Sequence, residues 1–258
     1  MLRSFIRYLG IVAKRLGPPG TARYRAVQRL SWLLPRRLRG NYEASPVAEC
    51  LHRFALERDA VFFVQVGAHE GRAGDPIALY IKRDDWRGVL VEPVPSLYQR
   101  LRRHYRHVDG LAFENVAIAE ADGRRPFFRL AATAGEVYEL ADSLGSLDRD
   151  VLLSHEEQVP GIDDYIEEIE IPCWSFETLL RRHEVETIDL LHLDTEGYDG
   201  RLLSTFPWER FRPQVVVYEH DHLDDDERRA TERMLRRHGY ELCSSRTNTL
   251  AQRAAGSA

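Results

Sequence analysis

The sequence has few cysteines, and they are not arranged as a metal site or a disulfide framework. The 258-residue chain contains three, Cys50, Cys173 and Cys243, which lie far apart and form no C-x-x-C pair. Such spacing argues against a structural zinc site and is typical of reduced thiols in an intracellular protein. We therefore expect a cytoplasmic protein.

Long apolar runs, internal repeats and low-complexity segments are also absent from the sequence. No apolar stretch in residues 1–40 reaches the ~18 residues that a membrane-spanning helix requires. Arg7, Lys14 and Arg15 interrupt the apolar core that a secretory signal would need. The sequence therefore predicts neither a membrane span nor a secretory signal.

Acidic residues are missing from the N-terminal segment. Residues 1–40 contain ten Lys and Arg but no Asp or Glu. Since the whole chain has a net charge of −5, the remaining 218 residues have a net charge of −15. An acidic body argues against nucleic acid as the main partner. The basic segment has two interpretations: an amphipathic element that rests peripherally on the inner face of a membrane, or a helix that packs on its own domain with a solvated basic face.

Elements expected from residue 46 onward alternate between strand and helix. We expect residues 1–45 to form a basic amphipathic arm, residues 46–253 a single α/β domain, and residues 254–258 a frayed tail. Apolar runs between turn residues predict the strands Val61–Val66, Gly88–Val91, Ala112–Ile118, Ile188–Asp194 and Val215–Glu219.

Helices are expected at Pro46–Arg58, Asp75–Lys82, Ser96–His104, Ser175–His183 and Asp224–His238. An antiparallel pair, Tyr240–Cys243 and Thr249–Gln252, would close the chain at a sheet edge. This alternation is typical of a mostly parallel sheet with helices on both faces.

Residues 120–172 interrupt the alternation. They contain a predicted strand, Pro126–Leu130, a polar stretch, Ala141–Leu147, and an acidic segment, Glu156–Glu170. A polar insertion of this length has two interpretations: a lid or specificity loop beside a ligand crevice, or decoration of the surface.

The first predicted strand ends in a glycine-rich loop, and the second ends in an acid. Glycines stand at positions 67, 71 and 74, and Glu92 follows the run Gly88–Val91. In such an arrangement the glycines let the backbone approach a nucleotide-like cofactor, and the acid binds ribose hydroxyls. The spacing is not the G-x-G-x-x-G of dinucleotide enzymes, and no Tyr-x-x-x-Lys pair is present. The pattern therefore favours S-adenosylmethionine over NAD.

Acids and histidines follow two further strands. Asp194 and Glu196 come after one strand, and Glu219 and His220 after the next. The carboxyl ends of parallel strands border the ligand crevice. We therefore predict Asp194, Glu196 and His220 as catalytic groups, and Asp194, Glu196 and Glu219 as a set that could hold Mg²⁺.

Two of these neighbouring residues have structural interpretations as well. Asp194 could cap a helix that starts near Gly197, because Asp is a favoured N-cap residue. His192, inside an apolar strand, is expected to be a buried histidine with satisfied hydrogen bonds rather than a catalytic base.

Together these segments resemble the FkbM-type S-adenosylmethionine-dependent methyltransferases, over roughly residues 60–252. The segments that carry the resemblance are Val66–Gly71 (VGAHEG), Val91–Pro95 (VEPVP), Asn115–Ala119 (NVAIA), Ile188–Asp199 (IDLLHLDTEGYD), Tyr218–Glu219 and Gly239–Tyr240. The resemblance implies a seven-stranded, Rossmann-like class I methyltransferase fold in the domain 46–253. It also implies methylation of a hydroxyl on a sugar, glycan or natural product. The chain departs from the family at His192, where members commonly have Lys, and at His69, where they often have Asn.

The resemblance also implies roles for individual residues. Glu92 would bind the ribose diol, and Asp194 and Glu196 would be the acids of the site. The other residues expected at the cofactor are Val66, Gly67, Ala68, His69, Glu70, Gly71, Pro93, Asn115 and Ala117. Two alternatives remain at this point: a non-catalytic protein that keeps the cofactor fold as a scaffold, and a nicotinamide-dependent oxidoreductase.

Overall fold

Two β-sheets organise the residues that a computed structural model describes, which are 45–58, 60–71, 75–131, 134 and 144–253. The predicted arm, apart from residue 45, the tail 254–258 and Gly74 lie outside the described residues. Within the described ranges, no helix combines the length and the apolar character needed to span a bilayer.

The described chain begins with helix α1 and ends with an antiparallel strand pair. Its strands are β1 (Phe62–Val66), β2 (Arg87–Val91), β3 (Leu111–Glu114), β4 (Ala117–Ile118), β5 (Gly123–Leu130), β6 (Gly145–Ser146), β7 (Ile166–Trp174), β8 (Leu190–Leu193), β9 (Val215–Glu219), β10 (Tyr240–Ser244) and β11 (Asn248–Arg253). Its α-helices are α1 (Pro46–Glu57), α2 (Ala78–Arg83), α3 (Pro95–His104), α4 (Arg149–Leu153), α5 (Phe176–Arg182), α6 (Asp199–Thr205) and α7 (Asp225–Arg237), with a 3₁₀ helix at Ile162–Tyr165.

The main sheet has seven described strands in the order β10-β11-β9-β8-β1-β2-β3. β9, β8, β1, β2 and β3 are parallel, and β11 runs antiparallel to both β9 and β10. The prediction of a mostly parallel sheet closed by an antiparallel pair is confirmed.

Helices cover both faces of this sheet, which explains why its central strands are almost continuously apolar. On one face, Phe63 and Leu190 pack with residues of α1, α2 and α3. On the other, Val64 and Leu191 pack with residues of α5, α6 and α7. Gln65 and His192 are register partners on β1 and β8, and both are 1% exposed. These two residues place polar groups inside an otherwise apolar layer.

The predicted strand Ala112–Ile118 is wrong as a single element. It divides into β3, in the main sheet, and β4, which pairs with β7 in a second sheet. The side-chain amide of Asn115 lies at the division and donates to the carbonyl oxygens of Glu92 and Pro93, at 2.8 and 2.9 Å. These bonds hold the bend, and a run of apolar residues gives no sign of them.

The described residues of the insertion, 120–131, 134 and 144–172, are folded. Together with β4, its strands form a sheet of order β4-β7-β5-β6, and β5 pairs with β7 at eight positions. Phe127 and Ile171 of this sheet pack with Leu97 of α3. This apolar contact attaches the insertion near the carboxyl ends of the parallel strands.

Candidate active site

The turn after β1 brings the ends of three strands together. The backbone N–H groups of Gly67 and Ala68 both donate to the carbonyl oxygen of Val91, each at 3.0 Å. Gly67 has φ of 78°, and a Cβ there would lie 1.7 Å from the carbonyl oxygen of Asp194. Only glycine allows this approach, so Gly67 places the loop after β8 against the turn after β1.

Glu92 is held at the end of β2 by its two neighbours in space. It is 3% exposed, and its carboxylate accepts from the backbone N–H of His69 at 2.8 Å and of Val94 at 2.9 Å. Burial raises the pKa of Glu92 to about 7, although these two hydrogen bonds oppose the rise. Each oxygen keeps a further lone pair, so the carboxylate can accept from two more donors.

A cavity of about 570 Å³ lies at the carboxyl ends of β1, β2, β8 and β9. This volume is within the range of small-molecule and cofactor sites. Its described lining includes eight of the residues predicted at the cofactor: Val66, Gly67, Ala68, His69, Glu92, Pro93, Ala117 and Asp194. The position follows the general rule for ligands in parallel α/β sheets.

The lining of the cavity is strongly acidic. Among its described residues, the carboxylates belong to Asp75, Glu92, Asp194, Glu196 and Glu219, whereas the basic side chains are His69 and Arg129. Arg129 is already paired, with its guanidinium 3.0 Å from the carboxylate of Glu167. The cavity therefore suits a ligand that carries positive charge.

Three of these carboxylates form an acid cluster, defined as Asp194, Glu196 and Glu219. Each offers an oxygen, and these oxygens lie within 4.8 Å of one another. Burial and the neighbouring carboxylates raise the pKa of Asp194 well above its usual range and that of Glu219 to about 9. Glu219 Oε2 is buried, with no hydrogen-bond partner among the described residues. Because like charges this close cannot all ionise, the acid cluster retains protons at neutral pH.

Asp199, which was not predicted as a site residue, holds the acid cluster in place. It is fully buried, and its carboxylate accepts from the backbone N–H of Thr195 at 3.0 Å and of Glu219 at 3.1 Å. It thereby joins the ends of β8 and β9. The hydroxyl of Thr195 also donates to it. The interpretation of Asp194 as a helix cap is wrong, because α6 has Tyr198 at its N-cap and no side-chain hydrogen bond there. An Asp in the first turn of the helix that follows the site was the available signal.

Four predicted site residues lie outside the described lining of the cavity: Glu70, Gly71, Asn115 and His220. Gly71 packs on Tyr105, whose hydroxyl donates to its carbonyl oxygen at 3.2 Å. Asn115 instead hydrogen-bonds the backbone carbonyl groups of Glu92 and Pro93. The ring of His220 lies 3.0 Å, Nδ1 to Oγ1, from Thr249, so it is directed to β11 and not to the acid cluster.

His192 is buried as expected, but its hydrogen bonds are not satisfied. Neither ring nitrogen has a hydrogen-bond partner among the described residues. Burial lowers its pKa, which keeps the ring neutral. The expectation of a satisfied histidine was therefore wrong.

The insertion supplies one wall of the cavity. Its described contributions are Phe127, Arg129, Leu130, Leu144, Gly145 and Leu147. The alternative that the insertion merely decorates the surface is therefore wrong. The sequence left both interpretations open, because no pattern in it says where an insertion packs.

A family model described as the methyltransferase FkbM domain matches residues 65–242. The chain belongs to this family. The match covers the turn after β1, Glu92, the insertion and the acid cluster, which together surround the cavity. No curated protein matches the chain significantly.

One of two similar solved structures supports the fold. Methyltransferase FkbM from Methylobacillus flagellatus KT is 15% identical, with a TM-score of 0.50, and the alignment covers 95% of this chain and 58% of that one. This chain thus spans less than two thirds of the length of that protein. Precorrin-6y C5,15-methyltransferase from Geobacter metallireducens GS-15 is 12% identical over 81% of this chain and 88% of that one, with a TM-score of 0.41. The family match and the first of these structures together show the class I methyltransferase fold that the sequence predicted.

Proposed function

We propose that this protein is an S-adenosylmethionine-dependent methyltransferase that methylates a hydroxyl group of a sugar, glycan or natural-product acceptor. The observation that carries the proposal is Glu92. Its buried carboxylate faces an acid-lined cavity, directly beside the turn made by Gly67. The FkbM family match supports the same class of reaction.

The described residues fit this cofactor better than a dinucleotide. Glu92 has two unused lone pairs for the two hydroxyls of a ribose, and Val94, Leu97 and Ile118 offer an apolar wall for a planar base. The carboxylates of the cavity would attract the positive charges of a sulfonium and an ammonium group, whereas they would repel the pyrophosphate of NAD. The nicotinamide alternative is disfavoured on this ground.

The acid cluster can take up the proton that a hydroxyl loses. When bound, S-adenosylmethionine would supply a methyl group on a cationic sulfur. The acceptor oxygen would attack the methyl carbon in line with the C–S bond, which breaks so that S-adenosylhomocysteine leaves. A hydroxyl is a poor nucleophile at neutral pH, so its proton must pass to a nearby base during the attack. Asp194 and Glu196 line the cavity, and an ionised member of the acid cluster would accept that proton. Glu219, when protonated, carries no charge and therefore reduces the repulsion among the three carboxyl groups.

Mg²⁺ in the acid cluster is the alternative way to activate a hydroxyl. The three carboxylates have suitable oxygens. The pKa values of Asp194 and Glu219 are raised, so Mg²⁺ would compete with protons for these two carboxylates.

The cofactor proposal is tested by calorimetry at pH 8 with S-adenosylhomocysteine, and with NADH as a comparator. We expect wild type to bind S-adenosylhomocysteine and not NADH. Glu92→Ala should weaken the binding by ~10- to 150-fold, the equivalent of ~1.5–3 kcal/mol for a charged hydrogen-bonding group.

Glu114→Gln is the matched control. Glu114 stands at the end of the adjacent strand β3 and pairs with His183 at 2.9 Å, but it is not among the described residues of the cavity. Its variant should bind as wild type does. A folded wild type that binds neither ligand would contradict the proposal and favour the scaffold alternative, whereas binding of NADH alone would favour an oxidoreductase.

A further inference from the structure

A second group of ligand-type side chains shares Glu196 with the acid cluster. His155, Glu196 and His222 each offer one atom, and the three atoms lie within 4.8 Å of one another. Nε2 of His222 is 3.1 Å from Oε2 of Glu196, and the rings of the two histidines are 4.9 Å apart between centroids. Of the three residues, Glu196 alone is among the described residues that line the cavity.

The three side chains of this group come from three separate segments of the chain. His155 follows α4 in the insertion, whereas Glu196 and His222 lie in the loops after β8 and β9. A Cβ on Gly197 would lie 2.8 Å from Cγ2 of Val151 in α4 and 3.2 Å from Cβ of His222. Glycine at this position therefore lets α4 and the loop after β9 close on the same turn. A hydrogen bond from Ser146 Oγ to the carbonyl oxygen of Glu196, at 2.8 Å, attaches the insertion to that turn as well.

One ring nitrogen in this group lacks a hydrogen bond. Nε2 of His155 is buried from solvent and has no hydrogen-bond partner among the described residues. A buried polar atom without a partner is unfavourable, and native proteins rarely leave one unsatisfied. Imidazole nitrogens are common metal ligands, and the ring of His155 lies beside a carboxylate and a second imidazole.

We propose that His155, Glu196 and His222 bind a divalent transition-metal ion of the Zn²⁺ type. Two imidazole nitrogens and one carboxylate oxygen form a donor set that Zn²⁺ and neighbouring first-row metals prefer, whereas Mg²⁺ prefers oxygen ligands. Ligands ~2.0–2.1 Å from such an ion lie roughly 3.4 Å from one another, so the three atoms need to close by no more than about 1.5 Å. The ion would tie the insertion to the ends of β8 and β9 and hold Glu196 at the cavity.

The site is tested with the full chain after chelator treatment, by calorimetric titration with Zn²⁺ and by the visible absorption of bound Co²⁺. We expect one equivalent to bind to wild type. His155→Gln and His222→Gln should each weaken binding by at least ~100-fold, because losing a residue that only hydrogen-bonds a metal ligand already costs ~10- to 100-fold. Wild type that binds no Zn²⁺, or variants that bind it equally well, would overturn the proposal.

His183→Gln is the matched control for the histidine variants. His183 also pairs with a carboxylate, that of Glu114 at 2.9 Å, and is buried to a similar degree. This variant should bind Zn²⁺ as wild type does. The metal assay contains no nucleoside cofactor, so its failure and the failure of the proposed methyl transfer are separate results.

Two thiols provide a competing explanation that the experiment must remove. Cys50 and Cys243 contact each other, and a thiol pair also binds Zn²⁺. The titrations are therefore repeated in a Cys50→Ser, Cys243→Ser background, in which binding should be unchanged. Loss of binding in that background would assign the ion to the thiols, and Mg²⁺ binding as tightly as Zn²⁺ would assign it to the oxygens of the acid cluster.

A measurement on wild type keeps the proposal testable if a histidine variant fails to fold. The sequence contains ten histidines, and we expect Zn²⁺ to shift the imidazole ¹⁵N resonances of two of them. The spectrum of whichever variant folds, His155→Gln or His222→Gln, should lack one of these two signals, which assigns that signal to the substituted histidine. Shifts at no imidazole, or at histidines other than His155 and His222, would refute the site.

Discussion

The binding of S-adenosylhomocysteine should weaken as the pH falls through 7, because Glu92 must be ionised to accept from both hydroxyls of a ribose. One lone pair on each oxygen is already taken by a backbone N–H group, of His69 or of Val94. Protonation places a hydrogen on one oxygen and turns an acceptor into a donor. The ligand therefore binds the protein with Glu92 ionised, and when Glu92 is initially protonated, binding releases its proton.

The size of this effect follows from the pKa of Glu92. Burial raises it to about 7, so Glu92 is about 90% ionised at pH 8 and about 10% ionised at pH 6, and the apparent Kd should rise about tenfold between these values. Calorimetry at pH 6, 7 and 8, in two buffers of different ionisation enthalpy, measures both the Kd and the proton release.

Two variants separate Glu92 from the other acids of the cavity. Glu92→Gln should bind weakly at pH 8 and lose most of the dependence between pH 6 and pH 8, whereas Glu114→Gln should keep the wild-type profile. A wild-type Kd that stays constant between pH 6 and pH 8 would refute the reasoning. So would an unchanged pH dependence in Glu92→Gln, because the titrating group would then be elsewhere.

Two further predictions concern stability. Gly67→Ala should lower Tm by at least about 4 °C, since backbone strain and a contact at 1.7 Å together cost about 2 kcal/mol or more. Gly161 also has a positive φ, 74°, but no atom lies within 4 Å of a Cβ added there. Gly161→Ala therefore introduces backbone strain without a steric clash and should lower Tm less than Gly67→Ala. Equal decreases in Tm would contradict the packing argument. Burial and neighbouring carboxylates raise the pKa of Glu219 to about 9, so between about pH 5 and pH 9 the folded protein holds a proton that the unfolded chain has lost, and stability falls as the pH rises. Denaturant unfolding of Glu219→Gln should show a smaller fall over that window, and an identical pH profile would show that Glu219 does not carry the proton.

The sequence alone determined the parallel sheet and its main features. Apolar runs that end in turn residues identified β1, β2, β8 and β9, because a strand covered by helices on both faces must be apolar along its whole length. It also identified Gly67 and Glu92, since residues at the carboxyl ends of such strands border the ligand site whatever the rest of the chain does. These inferences depend on local pattern, which a single sequence contains.

Only the tertiary structure decided which polar groups meet. His220 directly follows Glu219 in the sequence, but its ring hydrogen-bonds to Thr249 in β11 and is therefore turned away from the cavity. Asp199 became a site residue because its carboxylate reaches the backbone of a neighbouring strand. His155 stands 67 positions before His222 in the chain, and the glycine turn at Gly197 brings them together. Contacts of this kind depend on packing between distant segments, which the periodicity of a sequence does not encode.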